Sequence, residues 1–290
     1  MRTHLDEIWN ELEIVGTDTR SIIDNNTRTP FRWICSIICT YRDAQNKEHT
    51  DRLPATGLLI GPRHVLTAAH VLVPNSGGFK GALPVRITVS PGRHGASKPF
   101  GEYSTSTFRL RDEWRNTYDR RHDYAVIVLN EDVGKKNFPS VQNTRLGWWG
   151  SCGQGAHQIP MDKDFLKGKV VTVCGYPSDK APFTQWWDDE PMDNMEPKIG
   201  GVVQKNRFTY KGDTCPGHSG SPIWYMAWGE NDCIPRQRFL AGIHTGACGD
   251  LDGCTTSPGI GCDGGQKIYS HNRGIVLNNE VYNQIQAWLR

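Results

Sequence analysis

Three short stretches of this 290-residue chain carry side chains suited to nucleophilic catalysis. The first is Gly217-His218-Ser219-Gly220-Ser221-Pro222, a serine among small residues. At a tight turn such a serine exposes its hydroxyl, and the backbone amides of Gly217 and Ser219 can face one reacting carbonyl as an oxyanion hole. Alone, a Gly/Ser/Pro string is more often an ordinary loop. A serine hydroxyl is also a weak nucleophile and needs an adjacent base. Leu66-Thr67-Ala68-Ala69-His70 offers an imidazole after an apolar strand, among neighbours small enough to leave it facing a cleft. Considered alone, one of ten histidines is more readily a surface or satisfied core residue. The base in turn needs a buried carboxylate to fix its tautomer and stabilise the imidazolium. Asp123 stands directly before the apolar run Tyr124-Ala125-Val126-Ile127-Val128-Leu129. An unpaired charge there is costly, so a hydrogen-bonded partner is expected. Asp119 competes for this role, but its neighbours Arg120 and Arg121 read as solvated.

Those residues need a rigid frame, and composition narrows its kind. The chain has 33 Lys and Arg against 31 Asp and Glu, 37% hydrophobic residues, 31 Gly and 17 Pro. A chain of this length buries a sizeable core. A net charge of +2 gives no electrostatic case for nucleic acid or an acidic membrane as partner. No run of about 18 apolar residues reads as a spanning helix. Short stretches rich in Val, Ile, Thr and aromatics, bounded by turn residues, recur at Trp33–Thr40, Gly57–Ile60, Pro84–Val89, Tyr124–Leu129, Lys169–Cys174, Gly200–Gln204, Pro222–Tyr225 and Phe239–Ile243. That spacing predicts an all-β sandwich or barrel. The terminal stretch 278–290 predicts the one convincing helix, with Val281, Ile285, Trp288 and Leu289 as its apolar stripe and Asn278 or Asn279 as N-cap.

The polar, Gly-containing stretch 131–169 marks a boundary between two β units. The first, 29–145, holds His70 and Asp123; the second, 146–277, holds Ser219. Residues 1–28 read as an N-terminal segment, either a docking arm or a pro-segment, with Leu5, Ile8, Trp9 and Leu12 at helical spacing. Met1–Ile14 lacks the continuous apolar core of a secretory signal. Nine cysteines lean towards oxidising surroundings, and their odd number leaves at least one unpaired thiol in a monomer.

The order His70, Asp123, Ser219 and the TAAH and GHSGSP contexts match chymotrypsin-like proteases. More specifically, the sequence resembles the bacterial glutamyl endopeptidases, chymotrypsin-fold serine proteases that cut after Glu and less readily after Asp. The resemblance runs from about Ile14 to Arg290. It rests on IVGTDTR (14–20), GPRHVLTAAH (61–70), SPGRHG (90–95), HDYAVIVL (122–129), GYPSDK (175–180), CPGHSGSP (215–222), GIHTG (242–246) and HNRGIVL (271–277). It implies two six-stranded Greek-key barrels with a C-terminal helix and the site in the crevice between them. His70 is then the general base, Asp123 its orienter and Ser219 the nucleophile. Thr214 and His244 would line the specificity pocket, where an imidazole and a hydroxyl suit a buried carboxylate. No Asp is expected at the pocket floor to attract Lys or Arg.

Some positions depart from the family pattern. Ala247 stands where some members place a hydroxyl donor. His218 stands where digestive relatives carry an Asp that pairs with a freed N-terminal ammonium, so activation by that pair is not expected. Glu13-Ile14 before Val15-Gly16 resembles a mature N-terminus, which a Glu-specific enzyme could cut itself. In this fold Cys215 and Cys248 would lie on opposite walls of the pocket, as a disulfide or as two reduced thiols. Cys248, Cys254 and Cys262 beside Asp250 and Asp252 fit neither zinc nor EF-hand spacing, so no metal is expected, nor any other cofactor. The Gly-rich stretch 257–265 reads as a surface turn. Protein or peptide substrates and a monomer are expected. Relatives are secreted, which leaves secretion and a cytoplasmic location both open. Two rival functions remain: a protease of other or partner-restricted specificity, and a catalytically silent protease-fold binding protein.

Overall fold

A strand buried on both faces reads as a continuous apolar run, and Ile34–Arg42 is such a strand, with eight of its nine residues buried or half-buried. In the computed structural model of the protein it lies inside an eight-stranded sheet. The structure describes residues 13–14, 17–151, 155–191, 198–199, 202–203, 205–227, 237–248, 258–261, 266–268 and 271–290. The helical pattern at Leu5, Ile8, Trp9 and Leu12 lies outside the described residues.

The first sheet runs Tyr103–Thr105, Arg86–Pro91, Ile34–Arg42, Ala55–Leu59, His64–Thr67, Ala125–Val128, Phe108–Leu110, with Glu48–Thr50 paired onto Ile34–Arg42. The second runs Arg207–Tyr210, His271–Val276, Gln237–Cys248, Pro222–Ala227, Val170–Gly175, Trp186–Pro191, Ser21–Ile22. Ala156–His157 joins it in parallel with Gln237–Cys248, while the other pairings in both sheets are antiparallel. Among the described residues each sheet therefore has eight strands, against the six expected of each barrel. The additions are two- and three-residue pieces, too short to show an alternating pattern.

Two further differences bear on the site. Within the N-terminal segment, Ser21–Ile22 pairs with Trp186–Trp187 of the second sheet, so the arm crosses to the half of the chain farthest from it in sequence. The Gly-rich stretch read as a turn contributes the strand Pro258–Gly261, which pairs with Gln266–Ile268 and with Glu13–Ile14.

A hydrophobic core draws on both sheets, from Trp33, Leu58, Val65 and Ile127 to Cys174, Trp224, Ile243 and Ile275, and a smaller cluster around Val171, Phe208 and Ile223 lies in the second half. Trp149, in the connection between the halves, meets Trp33 edge-on at 6.1 Å and Trp224 at 5.6 Å. The terminal helix, Asn279–Trp288, closes against this core through Val281 and Ile285. Its N-cap is Asn278, whose side chain accepts from the Val281 amide at 3.0 Å. Among the described residues no helix is long and apolar enough to cross a membrane.

Candidate active site

Strand register brings His70 and Asp123 together. His64–Thr67 pairs antiparallel with Ala125–Val128, Thr67 opposite Ala125, so the chain leaving one strand emerges beside the chain entering the other. After Thr67 the chain turns into a single helical turn, Ala69–Leu72, entered through an extended Ala68. Ala68 and Ala69 are fully buried, which explains the need for small side chains before the histidine. The Tyr41 hydroxyl secures the turn by donating to the Val71 carbonyl at 2.9 Å. On the other side, Asp119 caps the short helix Arg120–His122 by accepting from the Arg121 amide, and it pairs with the Arg121 guanidinium. Asp119 is thus committed locally, and Asp123 is left to face His70.

The third residue arrives from the second sheet. His70 Nδ1 lies 2.8 Å from Asp123 Oδ2, and the His70 amide donates to Asp123 Oδ1 at 2.9 Å. His70 Nε2 lies 2.8 Å from Ser219 Oγ. Two contacts to Asp123 fix both the backbone and the ring of His70. Trp114 covers the imidazole, its ring centroid 6.3 Å away. All three polar residues are largely buried.

The loop carrying Ser219 is held by its carbonyls. Pro216 O accepts from the Ser178 amide at 2.7 Å, and His218 O accepts from the Ser221 amide at 2.7 Å. In a planar trans peptide the N–H points opposite its carbonyl. Anchoring these two carbonyls therefore directs the Gly217 and Ser219 amides away from the protein groups that hold them. Gly217 has φ +97°, and a Cβ there would lie 2.1 Å from Tyr176 O, so only glycine fits. Thr56, on the strand Ala55–Leu59, ties this loop to the first sheet: its amide donates to Ser219 O at 3.0 Å and its hydroxyl to Gly217 O at 2.7 Å. Sequence reasoning missed Thr56, and nothing local to it signals the role.

Thr214 and His244 are both fully buried in the second sheet's half. The His244 amide donates to Ser221 O, and its carbonyl accepts from the Gly220 amide, both at 2.8 Å, so His244 is laced to the turn that carries Ser219. Burial holds the His244 imidazole well below its ordinary range, helped by His218, His70 and Arg273 nearby. The Tyr210 hydroxyl lies 2.6 Å from His244 Nδ1. Burial pushes the Tyr210 phenol well up, so it keeps its proton and donates. That bond leaves the proton of the neutral imidazole on Nε2, a buried nitrogen with no hydrogen-bond partner among the described residues. Tyr210 is the second residue the sequence did not point out.

His218 is fully buried, and its Nδ1 accepts from the Cys215 amide at 3.0 Å. Burial, reinforced by Arg20, lowers it to about 3, so it is neutral at neutral pH. Asp213 directly precedes Thr214. Its carboxylate accepts from the Thr19 amide at 2.9 Å and hydroxyl at 3.2 Å, turned to the N-terminal arm.

Cys215 is disulfide-bonded. The side chain of Cys248 lies outside the described residues, as do Asp250, Asp252, Cys254 and Cys262. Cys35, Cys39 and Cys174 are buried thiols, pushed up chiefly by burial. Among the described residues no three His, Cys, Asp or Glu side chains converge as metal ligands. Glu13 and Ile14 lie in a strand, paired with Gly261 and Ile260, with Ile14 buried. In this arrangement the bond between them is part of a ladder rather than an exposed loop.

Residues 55–229 match the trypsin-like peptidase domain. A glutamyl endopeptidase of Bacillus licheniformis is 28% identical over 276 residues, covering 95% of this chain and 68% of that protein. An extracellular metalloprotease of Bacillus subtilis is 30% identical over 275 residues, covering 95% and 69%. Among solved structures, a Glu endopeptidase in complex with MPD superposes with a TM-score of 0.65 at 20% identity, covering 95% of this chain and 99% of that one. The protease Anisep of Arthrobacter nicotinovorans gives 0.57 at 15% identity, covering 90% and 98%. These structural likenesses concern the fold, which they identify as that of chymotrypsin-like proteases. The domain match spans more than half of the sequence and contains His70, Asp123 and Ser219 together, and on that ground the chain belongs to the trypsin-like peptidases.

Proposed function

We propose that the protein is a serine endopeptidase that hydrolyses peptide bonds after acidic residues, with Glu preferred over Asp. Ser219 Oγ attacks the scissile carbonyl while His70 Nε2 takes its proton and then delivers it to the leaving amine. Asp123 holds the ring in the tautomer with Nδ1 protonated and stabilises the imidazolium as it forms. The Gly217 and Ser219 amides receive the developing oxyanion, each worth about 10²–10³ in rate. The acyl-enzyme is then hydrolysed by water activated by the same imidazole.

The preference for Glu rests on one observation: a buried, neutral imidazole whose Nε2–H has no acceptor among the described residues, His244. An unmet buried donor costs about 1–3 kcal/mol, and a substrate carboxylate relieves that cost while a neutral side chain of the same shape relieves less. The Thr214 hydroxyl is assigned as a second donor. The engagement of Asp213 with Thr19 supports the same reading, since a carboxylate so occupied is not presented to a basic substrate. The glutamyl endopeptidase among the relatives is consistent with it.

The test is the cleavage-site profile on a denatured protein mixture, for wild type and His244→Ala. Enrichment of Glu before the cut, falling at least tenfold relative to other residues in the variant, is the expected result. Cleavage without Glu enrichment in the wild type would replace this reading with a peptidase of other specificity. No cleavage, and no labelling of Ser219 by a fluorophosphonate, would make the protein a silent member of the family.

A further inference from the structure

The oxyanion loop of this protein has an ordering problem. At the position before the nucleophile, where digestive relatives carry an Asp that pairs with a new N-terminal ammonium, this chain has His218. That side chain is spent on the Cys215 backbone and is neutral. Besides the bonds from Ser178 and Thr56 that hold the loop, a charged group outside it can brace it.

The N-terminal arm supplies one. The Arg20 side chain is fully buried. Its Nε and Nη2 donate to the two oxygens of Asp18 at 2.9 Å each, and its Nη1 and Nη2 donate to the two oxygens of Asp179 at 3.0 and 2.6 Å. Lys180 adds a second cation on Asp18 at 2.7 Å. Two cations thus face two carboxylates, and the planar guanidinium fork fixes geometry as well as charge. Beside Asp179 stands Ser178, whose amide holds Pro216 O at 2.7 Å. That peptide carries the Gly217 amide. Next to Arg20, Thr19 binds Asp213 and, through its hydroxyl, Asp188 at 2.9 Å, while Asp188 accepts from the Asp213 amide at 2.6 Å. The arm therefore grips both the loop before Gly217 and the loop around Ser178.

We propose that Asp18-Thr19-Arg20 is a built-in latch that orders the oxyanion loop, with Arg20 a positioning residue acting through Asp179, Ser178 and Pro216 on the Gly217 amide. This rests on reading the Gly217 and Ser219 amides as the oxyanion hole. The latch lies within the chain, downstream of Glu13-Ile14, so it persists whether or not that bond is cut.

The experiment compares full-length wild type with Arg20→Ala, Arg20→Lys and Asp179→Asn. It reads kcat and KM separately on one Glu peptide, along with affinity for a peptide aldehyde, which forms an oxyanion on Ser219, and for the matching product acid, which does not. The latch predicts that kcat and aldehyde affinity fall together, up to about 10²-fold, with KM and product affinity within about threefold. Millimolar guanidinium restores part of kcat in Arg20→Ala but not in Asp179→Asn. Arg20→Lys, which keeps the charge and loses the fork, loses kcat as well; it serves as the reading if Arg20→Ala does not fold. Folded variants that keep wild-type kcat and aldehyde affinity would overturn the latch, as would equal losses of kcat and product affinity without rescue. If wild type itself binds the aldehyde no more tightly than the acid, the oxyanion reading has failed instead.

Discussion

The two halves of the molecule position their functional side chains by different means. In the first sheet His70 and Asp123 sit at the ends of paired strands whose interiors are apolar: Leu58, Val65, Leu66, Val126 and Ile127 are all fully or nearly fully buried. Packing of those strands sets the register, and the register sets the pair. In the second half the interior around Ser219 is polar. Arg207, Asp188, Asp213, Thr214, His218, His244, Asn272 and Arg273 are all buried there. The comparison teaches that the His70–Asp123 pair is brought together mainly by packed apolar strands and then fixed by a few hydrogen bonds. The proposed anion-receiving loop and carboxylate pocket would need buried donors, and in the second half such groups are held by further hydrogen bonds.

This contrast can be broken from either side. The largest effect belongs to the link between halves. Ser219→Ala lowers turnover by about 10⁶ if the three residues act as a unit, and Asp123→Asn lowers it by about 10⁴ through the wrong imidazole tautomer; both are read by kcat on a peptide substrate, with binding of the product acid retained. Next comes the apolar frame. Leu58→Ala removes a fully buried side chain from the first sheet and costs about 2–5 kcal/mol of unfolding free energy, measured by denaturant titration. KM on a Glu substrate for the protein that remains folded should be unchanged.

A smaller, more selective effect is expected at Tyr210. Tyr210→Phe removes the hydroxyl that holds His244 Nδ1 and frees the ring to place its proton on either nitrogen. KM for a Glu peptide rises about tenfold, as expected for loss of a hydrogen bond to a charged partner, while kcat for a Gln peptide is unaltered. Equal changes for both peptides would show that Tyr210 acts on the fold and not on the carboxylate. The smallest effect is in acid. His218 is near 3 in the folded protein and near 6.5 unfolded, so between those values the unfolded chain binds more protons. Its contribution to stability is therefore full above about pH 6.5 and is lost as the pH falls towards 3. His218→Asn, if folded, shows a shallower decline of Tm across that window than wild type. Parallel declines would mean that other groups, His244 among them, dominate the acid limb.

Much of the frame was legible in the sequence because its signals are local. Short β-branched runs between turn residues marked strands at Ile34–Arg42, Val170–Gly175 and Pro222–Ala227. An Asn before an apolar stripe marked the terminal helix and its cap. His70, Asp123 and Ser219 stood out because each has a telling neighbourhood: small residues before a histidine, an apolar run after an aspartate, glycines around a serine. The edge strands did not stand out, because three residues such as Tyr103–Thr105 carry no period. Nor did Thr56 or Tyr210, whose own neighbourhoods are ordinary, and Arg20 ends the motif IVGTDTR with nothing beside it to name its partner across the chain. Thr56 meets Gly217 across 161 residues and Arg20 meets Asp179 across 159.

What the chain determined by itself is the kind of chemistry and the kind of fold, since residue type and periodicity along the backbone express both. Which polar groups hold the reactive ones, which nitrogen of His244 carries its proton, and where the carboxylate of Asp213 turns were decided only by tertiary structure. These depend on directional bonds between segments that meet after the sheets have paired, and hydrogen bonds of that kind leave no periodic trace in the sequence.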